Sequence, residues 1–583
     1  MEFVMSRRIK LVFLAAVVSM LFLVTGCIAT YPPPAPLQTS SLAVSMQQAN
    51  SLAGSMNAQQ APTQGTDWTM VNYDPTYSRN SPQTVIGKNN VNQLQVKWIL
   101  NTGYAIENPP LIVGNRVYVQ NNAMQVIAID LQSGLSVWKY DPHLTYTGGL
   151  LPRSSSSHGM TIQNGILYAP TGPNGTIVAL NAQTGAKVWE SDVIDVGPAW
   201  RESAPPVIWN NIIVAGSALG DEPPFGVAQK GTVTGLDLAT GKKLWQTPLA
   251  VGPWVTTAPN ASQNGGATAW TGGAVDVKKG VIFLPIGNPS PDFQPDVRAP
   301  VSAELYSNNV VALNITDGKI LWATPFIAQG SVLPNVVPLD GHDWDTAWGT
   351  NFIASQNLVI GHNKRGDIMA MDATTGKPVW WVNTIFTQNV EQQPSPQGTD
   401  VVWPSPGAGI EAFTATDGRY VYAAGSSGPV RYYSGPPNPT SGLLSEGGAV
   451  PVFDAIDNGF GNGTITAIDV KTGTIVWKYD SEYSTFVSPL VTNGVVFSGH
   501  VTDTGKPYTY SDFAGPSDTP LVPSGMLTAL DADTGKVLWE FNLGAQCGVG
   551  GPSIGNGYLI VPTGGIQIPN NRGYVIAFGL PGS

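Results

Sequence analysis

The chain repeats one pattern: an alternating apolar strand, a polar turn with glycine at a fixed place, and a second strand bearing tryptophan. VIAIDLQSGLSVWKY at 126–140 has this form, and it returns as IVALNAQTGAKVWES at 177–191, VTGLDLATGKKLWQT at 233–247 and VVALNITDGKILWAT at 310–324. IMAMDATTGKPVWWV at 368–382, ITAIDVKTGTIVWKY at 465–479 and LTALDADTGKVLWEF at 527–541 bring the number to seven. A period of two means strands with one buried face, and a turn glycine free to adopt positive φ joins each pair into a β-hairpin. Repetition at this scale predicts one small sheet per copy, stacked on its neighbours.

An eighth copy is split between the ends of the repeat region. Tyr574-Val575-Ile576-Ala577-Phe578 matches the first strand, and Leu94-Gln95-Val96-Lys97-Trp98 supplies a tryptophan strand with no hairpin before it. Joining them in one blade closes a ring and removes the free sheet edges of an open array. The expectation is an all-β, eight-bladed β-propeller over 67–583, with Trp98, Trp138, Trp189, Trp245, Trp322, Trp380, Trp477 and Trp539 packing between blades. Residues 387–462, the longest span between copies, leave room for a lid.

Composition agrees: the 583 residues include 66 glycines, 48 prolines and 17 tryptophans, a turn-rich and aromatic balance unlike a helical bundle. Net charge is -11 with only 28 lysines and arginines, which excludes a basic nucleic-acid footprint. Charged residues are 11%, so few cations repel one another once carboxylates are protonated. That suits an acidic exterior, and equally a secreted protein with neutral loops.

Arg7, Arg8 and Lys10 precede an apolar run from Leu11 to Val24, the layout of an export signal. Val24-Thr25-Gly26-Cys27 is similar to a lipoprotein signal box, so 1–27 is expected to be a signal peptide ending at a lipidated Cys27. Residues 28–66 read as a flexible tether. The other cysteine is Cys547, so a lipidated Cys27 leaves no intramolecular disulfide, and no CxxCH haem site exists. Gly551-Pro552-Ser553-Ile554-Gly555 fits GxSxG, but in a β blade it lacks the strand-to-helix turn that makes such a serine nucleophilic.

These repeats, with the entry segment from Asp67 to Trp98, resemble the tryptophan-docking motif of quinoprotein dehydrogenases, which bind pyrroloquinoline quinone (PQQ). The stretch from Gly265 to Phe293 is similar to the one carrying the tryptophan under the quinone and, eighteen residues later, a calcium-ligating asparagine. The resemblance implies those roles for Trp270 and Asn288 and puts Thr268 beside the quinone. An indole suits a flat electron-poor ring, and an amide oxygen suits a hard cation. Gly341-His342-Asp343-Trp344-Asp345 is similar to the element whose last aspartate is the general base, hence Asp345, also beside the metal. Ala347 stands where lanthanide-using relatives carry a further aspartate, so calcium is the metal implied.

The loop His362-Asn363-Lys364-Arg365-Gly366 places Lys364 at the quinone oxygens, and either Asp221 or Glu222 answers to the calcium-ligating glutamate. Other positions depart from the family. The adjacent cysteines over the quinone are replaced by serines at 154–157, His158 falls where an arginine grips a quinone carboxylate, and PGAGIEAF at 406–413 lacks the family's Asn-Trp pair.

Three functions follow from the resemblance. The first is an exported, membrane-anchored PQQ- and calcium-dependent dehydrogenase that passes hydride from an alcohol-type substrate to the quinone and electrons to a separate acceptor. The second is a quinone-free enzyme similar to the tetrathionate hydrolases of acid-loving microbes, again working through Asp345. The third is a membrane-tethered scaffold without chemistry. A small-molecule substrate is expected for the first two, no nucleic acid for any, and a homodimer is left open.

Overall fold

The computed structural model describes residues 66–143, 157–194, 204–217, 231–249, 265–287, 289–290, 306–326, 346, 348–390, 392, 397–404, 408–433, 444–445, 452–455, 461–502, 524–564 and 573–582. The expected signal, Cys27 and tether therefore lie outside the described residues, apart from Thr66. Among the described residues, no helix is long and apolar enough to cross a membrane.

The described strands form the expected all-β, eight-bladed propeller. Seven blades are four-stranded antiparallel sheets, and the remaining one gains a short fifth strand. Blade 1 consists of Leu111–Val113, Arg116–Gln120, Val126–Asp130 and Ser136–Tyr140 in that order. Blades 2 to 7 repeat the plan over 161–190, 207–248, 274–325, 351–383, 415–481 and 490–542. Blade 8 is built from both ends of the repeat region: Gln95–Asn101 pairs antiparallel with Tyr574–Gly579, outside Tyr558–Pro562 and Ser553–Gly555. The described part of 387–462 contributes the first two strands of blade 6, Ala415–Thr416 and Tyr420–Ser427, and a separate three-stranded sheet of Val430–Tyr433, Val452–Ala455 and Leu444–Ser445.

First strands of neighbouring blades lie against one another, as Leu111–Val113 does against Ser553–Gly555 and Ala274–Asp276 against Asn351–Ile353. The first strand is thus innermost and the tryptophan strand outermost.

Each sequence repeat is the outer hairpin, and its turn explains the spacing of its residues. The Asp130 carboxylate accepts the backbone N–H of Ser133 and so caps the turn. Gly134 follows at φ 70, where a Cβ would sit 2.6 Å from the Trp98 ring of the preceding blade. Trp98 can therefore lie flat on the turn and donate its indole N–H to Leu131 O at 2.7 Å. The same joint recurs as Trp138 to Ala182 at 3.1 Å, Trp380 to Val470 at 2.8 Å and Trp477 to Ala532 at 3.0 Å.

In all eight hairpins the register slips next to the tryptophan. This bulge re-aims the indole toward the next blade and turns the residue before it outward. Val137, Val188, Leu244, Leu321, Val379 and Val476 are exposed for that reason.

The entry segment runs around the inside of the ring, which its sequence does not announce. Trp68 exchanges backbone hydrogen bonds with Ile112 of blade 1, and Thr69 O accepts from Ile162 of blade 2. Pro75, Thr76, Ser78 and Arg79 then accept from Val275, Phe352, Thr416 and Val491, in blades 4, 5, 6 and 7 in turn. Inner strands have an unpaired edge at the axis, and this strap satisfies it. Trp68, Tyr77 and Arg79 on the strap are fully buried.

Candidate functional site

Loops that lead into innermost strands of different blades open toward the axis. His158 precedes Thr161–Gln163 of blade 2, Trp270 precedes Ala274–Asp276 of blade 4, Trp348 precedes Asn351–Ile353 of blade 5, and Glu411 precedes Ala415–Thr416 of blade 6. Blades 2, 4 and 5 are not all neighbours, so their side chains can meet only near the axis.

They do meet. The His158 and Trp270 rings are 4.8 Å apart at 66°, Trp270 and Trp348 are 5.2 Å apart at 77°, and His158 and Trp348 are 5.4 Å apart at 72°. Edge-to-face contacts of this kind add to the burial of each ring. Trp348 donates its indole N–H to Glu411 Oε2 at 2.9 Å, while Glu411 Oε1 lies 3.2 Å from Lys364 Nζ. The Lys364 and Glu411 side chains are only 13% and 15% exposed, so the pair interacts more strongly than it would in open water. Trp348 also meets Phe413 edge-on at 5.5 Å, and Phe413 rests 6.4 Å from Tyr77 of the strap. The aromatic cluster is therefore backed by buried protein on that side.

Backbone strain gathers here. Trp348 holds φ at 63, a left-handed conformation costly for a bulky residue, of order 1–3 kcal/mol. Ala267, just before Thr268, is also left-handed at φ 58. Such conformations persist where surrounding contacts impose them, and they collect at binding sites.

Of the residues expected from sequence, Trp270 and His158 stand in ring contact, and Lys364 joins them through Glu411 and Trp348. Thr268 is buried two residues before Trp270, and its carbonyl accepts the Gly287 N–H at 2.8 Å. Asp221, Glu222, Asn288 and Asp345 lie outside the described residues. Thr346 forms a β-bridge to Asn363, the residue before Lys364. Among the described residues no group of three His, Cys, Asp or Glu side chains could hold a metal, and the expected ligands are all among the others.

Sequence reasoning missed Trp348 and Glu411. Trp348 follows the Asp345 element by three positions, and Glu411 is the one carboxylate in PGAGIEAF, where the family's Asn-Trp pair is missing. That substitution was the available signal. The His362 ring is fully buried beside the Ala412 backbone. Burial pushes its pKa down to about 4, and the nearby Ala412 backbone offsets this only partly.

A flat polycarboxylated quinone asks for an aromatic platform, a small donor and cations. The half-buried Trp270 ring, the Thr268 hydroxyl and Lys364 are of the right kinds, so the described residues fit such a group on its platform side. On the anionic side the fit is poorer, because His158 replaces an arginine and Lys364 is shared with Glu411.

An eight-bladed propeller with tryptophan-docked blades and an axial pocket of aromatic rings and an ion pair is the class defined by this geometry. Residues 195–405 match the family described as glucose/ethanol/alcohol dehydrogenase, β-propeller domain, and residues 87–221 match one described as outer membrane protein assembly factor BamB. The quinoprotein alcohol dehydrogenase PedH of Pseudomonas putida is 25% identical over 532 residues, 80% of each chain. The quinoprotein glucose dehydrogenase of Escherichia coli is 26% identical over 309 residues, which covers 45% of this chain and 37% of that one. The solved structure of quinohemoprotein alcohol dehydrogenase ADHIIG from Pseudomonas putida superposes with a TM-score of 0.67 at 18% identity, over 89% of this chain and 81% of that one. The resemblance to quinoprotein alcohol dehydrogenases thus holds in both sequence and fold, and the chain is a distant relative of those enzymes.

Proposed function

We propose that the axial pocket is the active site of an exported, quinone-dependent dehydrogenase that oxidises an alcohol-type small molecule. The observation that carries this reading is the meeting of Trp270, His158 and Trp348 from three blades, with Thr268 and Lys364 at hand. PQQ, when bound, supplies the hydride acceptor. Trp270 would carry its ring, and Thr268, Lys364 and His158 would meet its oxygens and carboxylates. Asn288, Asp345 and either Asp221 or Glu222 would hold calcium, whose charge keeps the Asp345 carboxylate ionised. Asp345 would take the hydroxyl proton of the substrate. The buried rings of Phe413 and Tyr77 keep water from that side of the pocket. Lipid on Cys27 would hold the enzyme to the outer face of a membrane, near a separate electron acceptor.

One observation favours a second reading, the quinone-free hydrolase acting on tetrathionate. Lys364 is ion-paired to Glu411, and His158 packs on Trp270, so the grip on a polycarboxylate is weaker than the family's. Both readings are tested together. Purified protein is incubated with calcium and PQQ, desalted, and assayed for retained quinone, dye reduction with alcohols, and thiosulfate release from tetrathionate. Retained quinone and dye reduction, both with Asp345→Asn inactive, are expected. Thiosulfate release by quinone-free protein would establish the hydrolase instead.

A further inference from the structure

We propose that Glu411 is a specificity-determining residue that sets the ligand charge accepted by the axial pocket. It does so by cancelling the Lys364 ammonium on the side of the pocket where an anionic ligand group would otherwise dock. The inference deepens the quinone-dependent reading and rests on it for the identity of the ligand, though not for the role of the charge.

Both oxygens of the Glu411 carboxylate are engaged. Oε1 lies 3.2 Å from Lys364 Nζ, and Oε2 accepts from Trp348 Nε1 at 2.9 Å. The partners come from different places, since Lys364 follows the second strand of blade 5 and Trp348 precedes its first, while Glu411 belongs to blade 6. One side chain thus fixes the orientation of an axial indole and the charge of an axial cation.

The two tasks need different chemistry. Bracing Trp348 needs only an acceptor oxygen, which a neutral amide offers equally well. Holding the ammonium as a neutral pair needs the negative charge. At 15% exposure a carboxylate with no such task would be an expensive choice over glutamine. The charge is therefore the property to explain, and its consequence falls on ligands. A planar aromatic polycarboxylate approaching Lys364 meets a compensated cation and is repelled by the adjacent anion, whereas an uncharged ligand feels little of either.

The test separates charge from bracing. Binding of PQQ, and of benzene-1,2,4-tricarboxylate as a flat tricarboxylate without a quinone, is followed by tryptophan fluorescence and equilibrium dialysis. The proteins are the wild type, Glu411→Gln, Lys364→Gln and the double variant. Glu411→Gln keeps an acceptor for Trp348 and should tighten both ligands by about tenfold or more, the effect of one modest charge interaction. Lys364→Gln removes the ammonium that faces Glu411 and should weaken both by a similar factor, and the double variant should return toward the wild type. Tricarboxylate bound tighter by Glu411→Gln, with PQQ held by no form, would sink the quinone reading and leave the role of Glu411 standing. Two single variants that bind both probes as the wild type does would overturn the proposal. Because Lys364→Gln pushes affinity the opposite way, misfolding of Glu411→Gln alone does not protect it.

Discussion

Trp98 and Leu131 are joined by an indole N–H donated to a backbone carbonyl at 2.7 Å. Through them blade 8, assembled from both ends of the repeat region, locks onto the outer turn of blade 1. The chain runs on from Gln95–Asn101 into blade 1, so the ring closes by hydrogen bonding and packing inside blade 8, where that strand pairs with Tyr574–Gly579.

Trp98→Ala should therefore loosen the joint between blades 8 and 1. Trp98 is 8% exposed, so the variant creates a cavity and loses the hydrogen bond, for about 3–5 kcal/mol. Trp98→Phe should cost less. Gly134→Ala should also destabilise, because its φ is 70 and the added Cβ would press into the Trp98 ring. Guanidinium denaturation midpoints check all three, and an unchanged midpoint for Trp98→Ala would refute this role of the joint.

Arg79 should matter to the strap as much as Trp98 does to the ring. Fully buried, it donates to Ser488 O, Pro489 O, Pro552 O and Asn72 Oδ1, and its guanidinium lies 5.6 Å over the Trp68 ring. Arg79→Met strands these acceptors in a dry interior, at a cost of about 3 kcal/mol or more. Arg79→Lys, which keeps some donors, should fall between. Amide exchange at Val491, whose N–H bonds to Arg79 O at 3.0 Å, should speed up in Arg79→Met.

His362 should make the fold sensitive to mild acid. Its pKa is about 4 in the folded chain, against 6.5 ordinarily, because burial disfavours the charged ring. Between those values the unfolded chain holds a proton that the folded chain does not, so stability falls as pH drops from 6.5 to about 4 and levels off below. The loss approaches ~3 kcal/mol. His362→Phe removes the titrating ring and should flatten this window, with a small loss at pH 7 from the contact with the Ala412 backbone. Melting temperatures at pH 7, 5 and 3.5 decide it.

On the outer surface, Asp533 bridges Lys88 at 2.6 Å and Arg419 at 3.0 Å, tying the entry segment and blade 6 to blade 7. Hydrogen bonds from Lys88 and then Arg419 lower its pKa below the ordinary 3.8. The stabilisation is complete above the unfolded value and disappears as pH falls through the lower folded one. Solvent screening limits it to less than about 1 kcal/mol, since Asp533 is 47% exposed. Asp533→Asn should lower the melting temperature slightly at pH 7 and not at pH 2.

Much of this was legible because hairpins are local. The alternation, the capping aspartate and the turn glycine lie within fifteen residues, so the sequence reveals each outer hairpin, the number of blades and the split eighth copy. The inner strand pairs were less legible, since they vary between blades and carry no tryptophan. Trp270, Thr268, His158 and Lys364 came from the resemblance to a family, and tertiary structure brought them to one axis.

What the chain's residues determined alone was the repeating unit and its closure, because strand period and turn chemistry act between near neighbours. Tertiary structure decided the path of the strap, the bulges that turn Val137 and its counterparts outward, and the link from Trp348 to Glu411 across 63 residues. Those depend on which blade faces which around the ring, and side chains from blades 2, 4, 5 and 6 become neighbours only once it has closed.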